Sequence, residues 1–197
     1  MDHKRTEPEY VYTGQKYPYD EATNGLYNNA KAFVEYEKQL RYSSNGLFSE
    51  IKNNLGDEEK EIFDSLKEYM LNLTSKAKTN GALSLLFATG NGYCIDMERF
   101  ATDFNNLKRN GDEKGIKTLC NKFNKALQYC YENNVAILEY IYDNKNKLPS
   151  GMEDVRKALH QNGSGSHAAM ESMAFIRNNY IDWKKQKASY NTLSKND

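Results

Sequence analysis

Two glycine-bearing segments, three histidines, three cysteines and several paired carboxylates are where this 197-residue chain could do chemistry. Gly90-Asn91-Gly92 stands between an apolar run and a helical pattern. A glycine loop at a helix N-terminus can cradle a phosphate on free backbone N–H groups. This one lacks both the GxGxxG pattern and the GxxxxGK pattern, and no basic residue adjoins it, so it reads as a structural loop. Gly163-Ser164-Gly165-Ser166-His167 sets a serine beside a histidine. A nucleophilic serine needs a base within reach and a third group to orient that base. No GxSxG elbow is present and no strand pattern leads into the segment, so it reads as a flexible linker or helix break.

His3, His160 and His167 are the only histidines. The last two are seven residues apart, which on a continuous helix is about 10 Å along the axis, too far for one metal. Cys94, Cys120 and Cys130 are odd in number and show no CxxC spacing, which argues against a disulfide framework or a zinc site. Cys120 and Cys130 fall in an apolar helical pattern and read as small core residues. Glu58-Glu59 and Glu153-Asp154 lie at helix starts, where carboxylates favour the helix dipole. No ExxH motif is present, so the usual di-iron bundle site is excluded. We expect no cofactor, no metal and no catalytic residue.

Charge narrows the partners. Lys and Arg number 27, as do Asp and Glu, giving a formal net charge of zero. Nucleic-acid binding needs a basic excess that this chain lacks. Two local basic stretches stand out: Lys114, Lys117, Lys122 and Lys125, and Lys184, Lys185 and Lys187 beside Trp183. No run of about 18 apolar residues is long enough to span a membrane. The first nineteen residues contain no apolar signal core, so we expect a soluble, intracellular protein.

The elements that must position these residues are helical. Residues 1–19 form an irregular arm punctuated by Pro8, Gly14 and Pro18 and decorated with Tyr10, Tyr12, Tyr17 and Tyr19. A long first helix, from about Asp20 to Leu55, carries Leu26, Phe33, Leu40, Leu47, Ile51 and Leu55, with a possible break at Ser43–Gly46. Gly56 ends it, and Asp57-Glu58-Glu59 opens a second helix with Ile62, Leu66, Met70 and Leu73 on one face. The apolar run 82–88 reads as a short buried turn followed by a loop. A third helix carries Tyr93, Met97, Phe100, Phe104 and Leu107 and ends at Asn110-Gly111. A fourth, about Asp112 to Lys147, carries Ile116, Leu119, Phe123, Ala126, Cys130, Ile137 and Ile141, interrupted by Asn133 and Asn134. Beyond Leu148-Pro149, a final helix carries Met173, Ile176, Tyr180 and Trp183.

Narrow apolar stripes on long helices predict an all-α fold: an elongated antiparallel bundle of about four to six helices, some long and kinked. The organisation follows as an arm over 1–19, a helical bundle over 20–190 and a frayed tail over 191–197. The function this implies is a non-enzymatic helical interaction or scaffold module that meets a protein partner or a second copy of itself through exposed helix faces. The aromatic sets Tyr93, Phe100 and Phe104, and Phe175, Tyr180 and Trp183, read first as core packing. The alternative makes Trp183 a contact anchor, a frequent role of Trp, and the candidate surface is then Trp183, Lys184, Lys185 and Lys187, with Lys114, Lys117 and Lys125. In helix length and order the pattern also resembles the BAR class of membrane-curving dimers, which makes a membrane surface a second expected partner. A small-ligand bundle or an enzyme of unfamiliar type is a third reading.

Overall fold

Acidic residues and glycines set the ends of the helices in this chain. The computed structural model describes residues 8–13, 38–39, 41, 46–79, 92–144 and 163–195. Its elements are strand β1 (Val11–Thr13), helices α1 (Leu47–Asn53) and α2 (Asp57–Thr79), strand β2 (Tyr93–Ile95), and helices α3 (Met97–Arg109), α4 (Glu113–Asp143) and α5 (Gly163–Lys195). Asp57, Glu58 and Glu59 occupy the first turn of α2, where their charge meets the positive end of the helix dipole. Asp96 caps α3 by accepting from the Arg99 N–H at 3.1 Å, and Asp112 caps α4 by accepting from the Gly115 N–H at 2.9 Å. Between those two helices Gly111 takes φ +66°, the left-handed conformation that lets the chain reverse at once.

The all-α reading holds, with a bundle in which α5 runs antiparallel to both α2 and α4. Lys76 meets Phe175 at one end of the α2–α5 seam and Glu58 meets Tyr190 at the other. Asp143 pairs with Arg177 and Glu132 with Lys187 along α4–α5. Helix α4 is the central element. Leu119, Cys120, Phe123, Ala126, Leu127, Cys130, Tyr131, Val135 and Leu138 are all buried on it. That set is two stripes wide where the sequence predicted one, because α4 has neighbours on both sides. Toward α1 and α3, Phe123 packs edge-on against Phe48 and lies 4.6 Å from Phe100 by ring centroids. Toward α2 and α5, Tyr131 stacks on Tyr69 and meets Tyr180 and Trp183 edge-on. An ion pair between Lys52 and Asp64 ties α1 to α2.

Several expectations are corrected. Tyr93 belongs to strand β2, not to the third helix, which starts after its Asp96 cap. The partner of β2 lies in the arm expected to be irregular: Val11–Thr13 pairs with it antiparallel, in the register Val11 with Ile95, Tyr12 with Cys94 and Thr13 with Tyr93. The segment from Gly163 to His167 is the first turn and a half of α5, and that helix continues to Lys195 across the expected tail. Ser and Gly are tolerated at a helix start, where serine can cap free N–H groups. Of the expected long first helix, α1 begins after Gly46, consistent with a break there. The stretch 20–37, the apolar run 82–88, residues 145–162, His3 and His160 lie outside the described residues.

Candidate interaction surface

Trp183 is fully buried, so it is a core residue and no surface anchor. Its indole N–H donates to Glu132 Oε1 at 3.0 Å, and Lys187 Nζ donates to the same oxygen at 2.7 Å. The physical reason is helical spacing: Met173, Ile176, Tyr180, Trp183 and Lys187 lie on one stripe of α5, and Tyr180, Trp183 and Lys187 on it meet α4. A tryptophan can be buried there because Glu132 satisfies its one polar atom. Lys187 is half-buried by the same contact and is not a free surface charge.

Lys184 and Lys185 are exposed. The Lys184 ammonium lies 4.8 Å from the Tyr180 ring centroid. On the outer side of α5 next to them are Met170, 60% exposed, and Ile181, 45% exposed, with exposed Ala174 between. Met170 and Ile181 are eleven residues apart, three full turns, so they share a face with Ala174. Lys184 and Lys185 stand three and four residues beyond Ile181 and border that face. The structure therefore brings part of the expected surface together, but around Ile181 instead of Trp183. The signal was legible as Met170, Ala174 and Ile181 at spacings of four and seven. The more prominent tryptophan obscured it.

Lys114, Lys117 and Lys125 are exposed on another helix, the outer face of α4. Lys114 lines a surface pocket of about 400 Å³ with Leu107, Asp112 and Lys122. Lys117 lines one of about 350 Å³ with Glu50, Phe104 and Lys108. Carboxylates accompany the cations in both: Asp112 sits in the first, and Lys108 pairs with Glu50 at 2.7 Å in the second. Lys122 is held by Glu9 at 3.0 Å. The α4 lysines thus form a mixed-charge face, not a dense cationic one. No family model, curated protein or solved structure matches this chain.

Burial shifts several thiols and phenols. Desolvation pushes the Cys94 and Cys120 thiols up to about 12. It raises the Tyr131 phenol too, helped by the neighbouring Tyr69, Tyr180, Glu132 and Asp182. Cys94, Cys120 and Cys130 are buried and stand outside any disulfide. Among the described residues, no three His, Cys, Asp or Glu side chains gather in a way that could hold a metal ion. Among the same residues, no helix is long and apolar enough to cross a membrane.

Proposed function

We propose that this chain is a helical protein-interaction module whose docking face is the outer side of α5. One observation carries the reading. This 33-residue helix buries one stripe against the bundle, yet presents Met170, Ala174 and Ile181 to solvent on another. Single exposed apolar residues are ordinary, but aligned ones on a helix otherwise committed to packing make a second seam. Lys184 and Lys185 on its border favour a partner helix or groove that carries carboxylates next to its apolar contact.

A photo-crosslinking residue placed at Ala174 of the full chain tests this in the presence of the chain's cellular milieu. We expect a discrete higher-mass adduct that Ile181→Glu abolishes and that the same crosslinker at Asn105, exposed on α3, does not give. Equal smears from both positions would exclude the α5 face. Light scattering at two protein concentrations then tells whether the adduct partner is a second copy.

A further inference from the structure

The segment Pro8–Thr13 is seated in a groove that is built as a receptor. Tyr10 is buried, its ring edge-on to Phe100 at 5.7 Å and capped by the Arg99 guanidinium at 4.8 Å. Its hydroxyl donates to Asp103 at 2.5 Å, at the floor of the socket. Glu9 is gripped from two helices: Oε1 lies 3.0 Å from Arg99 of α3, and Oε2 lies 3.0 Å from Lys122 of α4. Beyond Tyr10 the chain adds a strand to β2, and the Asp96 N–H donates to the Tyr10 carbonyl at 2.7 Å. The other edge of β2 is closed, because the Asn134 side chain takes both the N–H and the C=O of Tyr93. A strand can therefore reach β2 from one side only, the side that β1 fills.

We infer that this β2–α3–α4 groove is an acceptor site for an extended peptide in which an acidic residue precedes a tyrosine and an aliphatic residue follows it. The chain's own Glu9-Tyr10-Val11 occupies it, and a partner's segment of the same kind takes its place. Each element of recognition is a side chain or strand edge of the receptor, and none requires the bound segment to be covalently continuous with it. The anchoring is also of an exchangeable kind. The strand pairing spans three residues, shorter than a self-sufficient hairpin needs. Both Glu9 ion pairs are about half exposed, where such pairs contribute little. Tyr10 holds φ +73°, a conformation a non-glycine residue adopts only against a cost. Strand addition at a single open edge with one side-chain pocket is a recurrent mode of peptide capture. The inference goes beyond the α5 docking face and does not rest on it, since the two sites share no residue.

The test uses the full-length chain and a fluorescein-labelled peptide, Glu-Pro-Glu-Tyr-Val-Tyr-Thr, read by anisotropy. Tyr10→Ala in the chain removes the internal anchor while leaving the socket intact. The peptide should then bind at least about tenfold tighter than it binds the unaltered chain, because the internal segment no longer competes. Adding Arg99→Ala, or replacing the peptide's tyrosine by alanine, should abolish that gain. Equal or absent binding to the two chains overturns the inference. So does loss of the cooperative unfolding transition in Tyr10→Ala, since the segment would then be an inseparable part of the fold. Hydrogen exchange at Asp96 in the unaltered chain gives an independent reading. Its amide should exchange faster than those of α4 by at least about tenfold if the segment detaches locally, and at the same rate if it does not.

Discussion

The side-chain amide of Asn134 grips the backbone of Tyr93 at two points, accepting from its N–H at 2.7 Å and donating to its carbonyl at 2.8 Å. Asn134 is fully buried in the middle of α4, and in the sequence it looks like a gap in an apolar stripe. In the fold it does the work of a third strand, pairing the edge of β2 that β1 does not reach. An asparagine is suited to this because its amide presents one acceptor and a donor in the same spacing as a peptide group.

Replacing Asn134 with leucine removes the side-chain partner of two backbone groups of Tyr93 at a part-buried site. We expect a loss of about 2–4 kcal/mol in urea unfolding, from the cost of unpaired buried polar groups. Asn134→Asp keeps an acceptor but loses the donor and introduces a buried charge, so it should be at least as damaging. An unchanged midpoint in either variant would show that β2 does not need the clamp.

Tyr131 gives a prediction of opposite sign. Its ring is fully buried between Tyr69, Tyr180 and Trp183, yet its hydroxyl has no hydrogen-bond partner. Removing only that oxygen, Tyr131→Phe, should leave stability unchanged or raise it by up to about 1 kcal/mol, because a desolvated orphan is deleted and the packing stays. Tyr131→Ala should cost about 3–5 kcal/mol through the cavity it opens. A thermal or denaturant midpoint at or above the parent's for Tyr131→Phe, and well below it for Tyr131→Ala, would bear this out.

Local chemistry made much of the bundle legible, and non-local pairing hid the rest. The start of α2 could be read from Gly56 and three successive carboxylates, and the α3–α4 reversal from Asn110-Gly111. Strands β1 and β2 could not, because each is three residues long and their partners are about eighty residues apart; periodicity over so short a span carries no signal. Burial on both sides of α4 was hidden for a related reason. A single-stripe pattern is what one neighbour produces, and the sequence does not say how many neighbours a helix has. The core reading of Trp183 holds, and the alternative reading as a contact anchor, prompted by three lysines within four residues, does not. The indole N–H was satisfied by Glu132 on another helix, and a partner so distant in the chain leaves no local trace.

The chain's one tryptophan makes the α4–α5 seam directly observable. Trp183 is sealed from solvent, so native emission should be blue-shifted and should move to the red in a single step on unfolding. Glu132→Gln keeps a carbonyl acceptor for the indole but removes the charge that Lys187 meets at 2.7 Å. We expect a loss of about 1 kcal/mol, the scale of a partly exposed ion pair, with the emission maximum unchanged. Glu132→Leu leaves the indole N–H unpaired and should cost more, about 2–3 kcal/mol. Equal effects from the two would mean that the charge, not the indole hydrogen bond, holds the seam.

The buried thiols and phenols fix how stability depends on pH. Burial holds Cys94 and Cys120 at about 12 in the folded chain, above an ordinary cysteine. It raises Tyr10 and Tyr131 as well, with Asp103 adding to the effect on Tyr10 through the hydrogen bond it accepts. A raised folded-state value means that the folded chain keeps its proton when the unfolded chain has lost it. Above the ordinary cysteine range the unfolded state therefore binds fewer protons, and stability falls as pH rises. The contribution is fully present below about pH 8 and is lost progressively from about pH 9 upward, first through the cysteines and then through the tyrosines. Urea midpoints measured from pH 7 to pH 10.5 should be flat at the lower end and decline at the upper. Cys94→Ala combined with Cys120→Ala should flatten the first part of that decline. Thiol labelling at pH 8 should proceed at the rate of unfolding, since all three sulfurs are buried. Rapid labelling of any one of them in the folded chain would show that the strand or helix carrying it opens on its own.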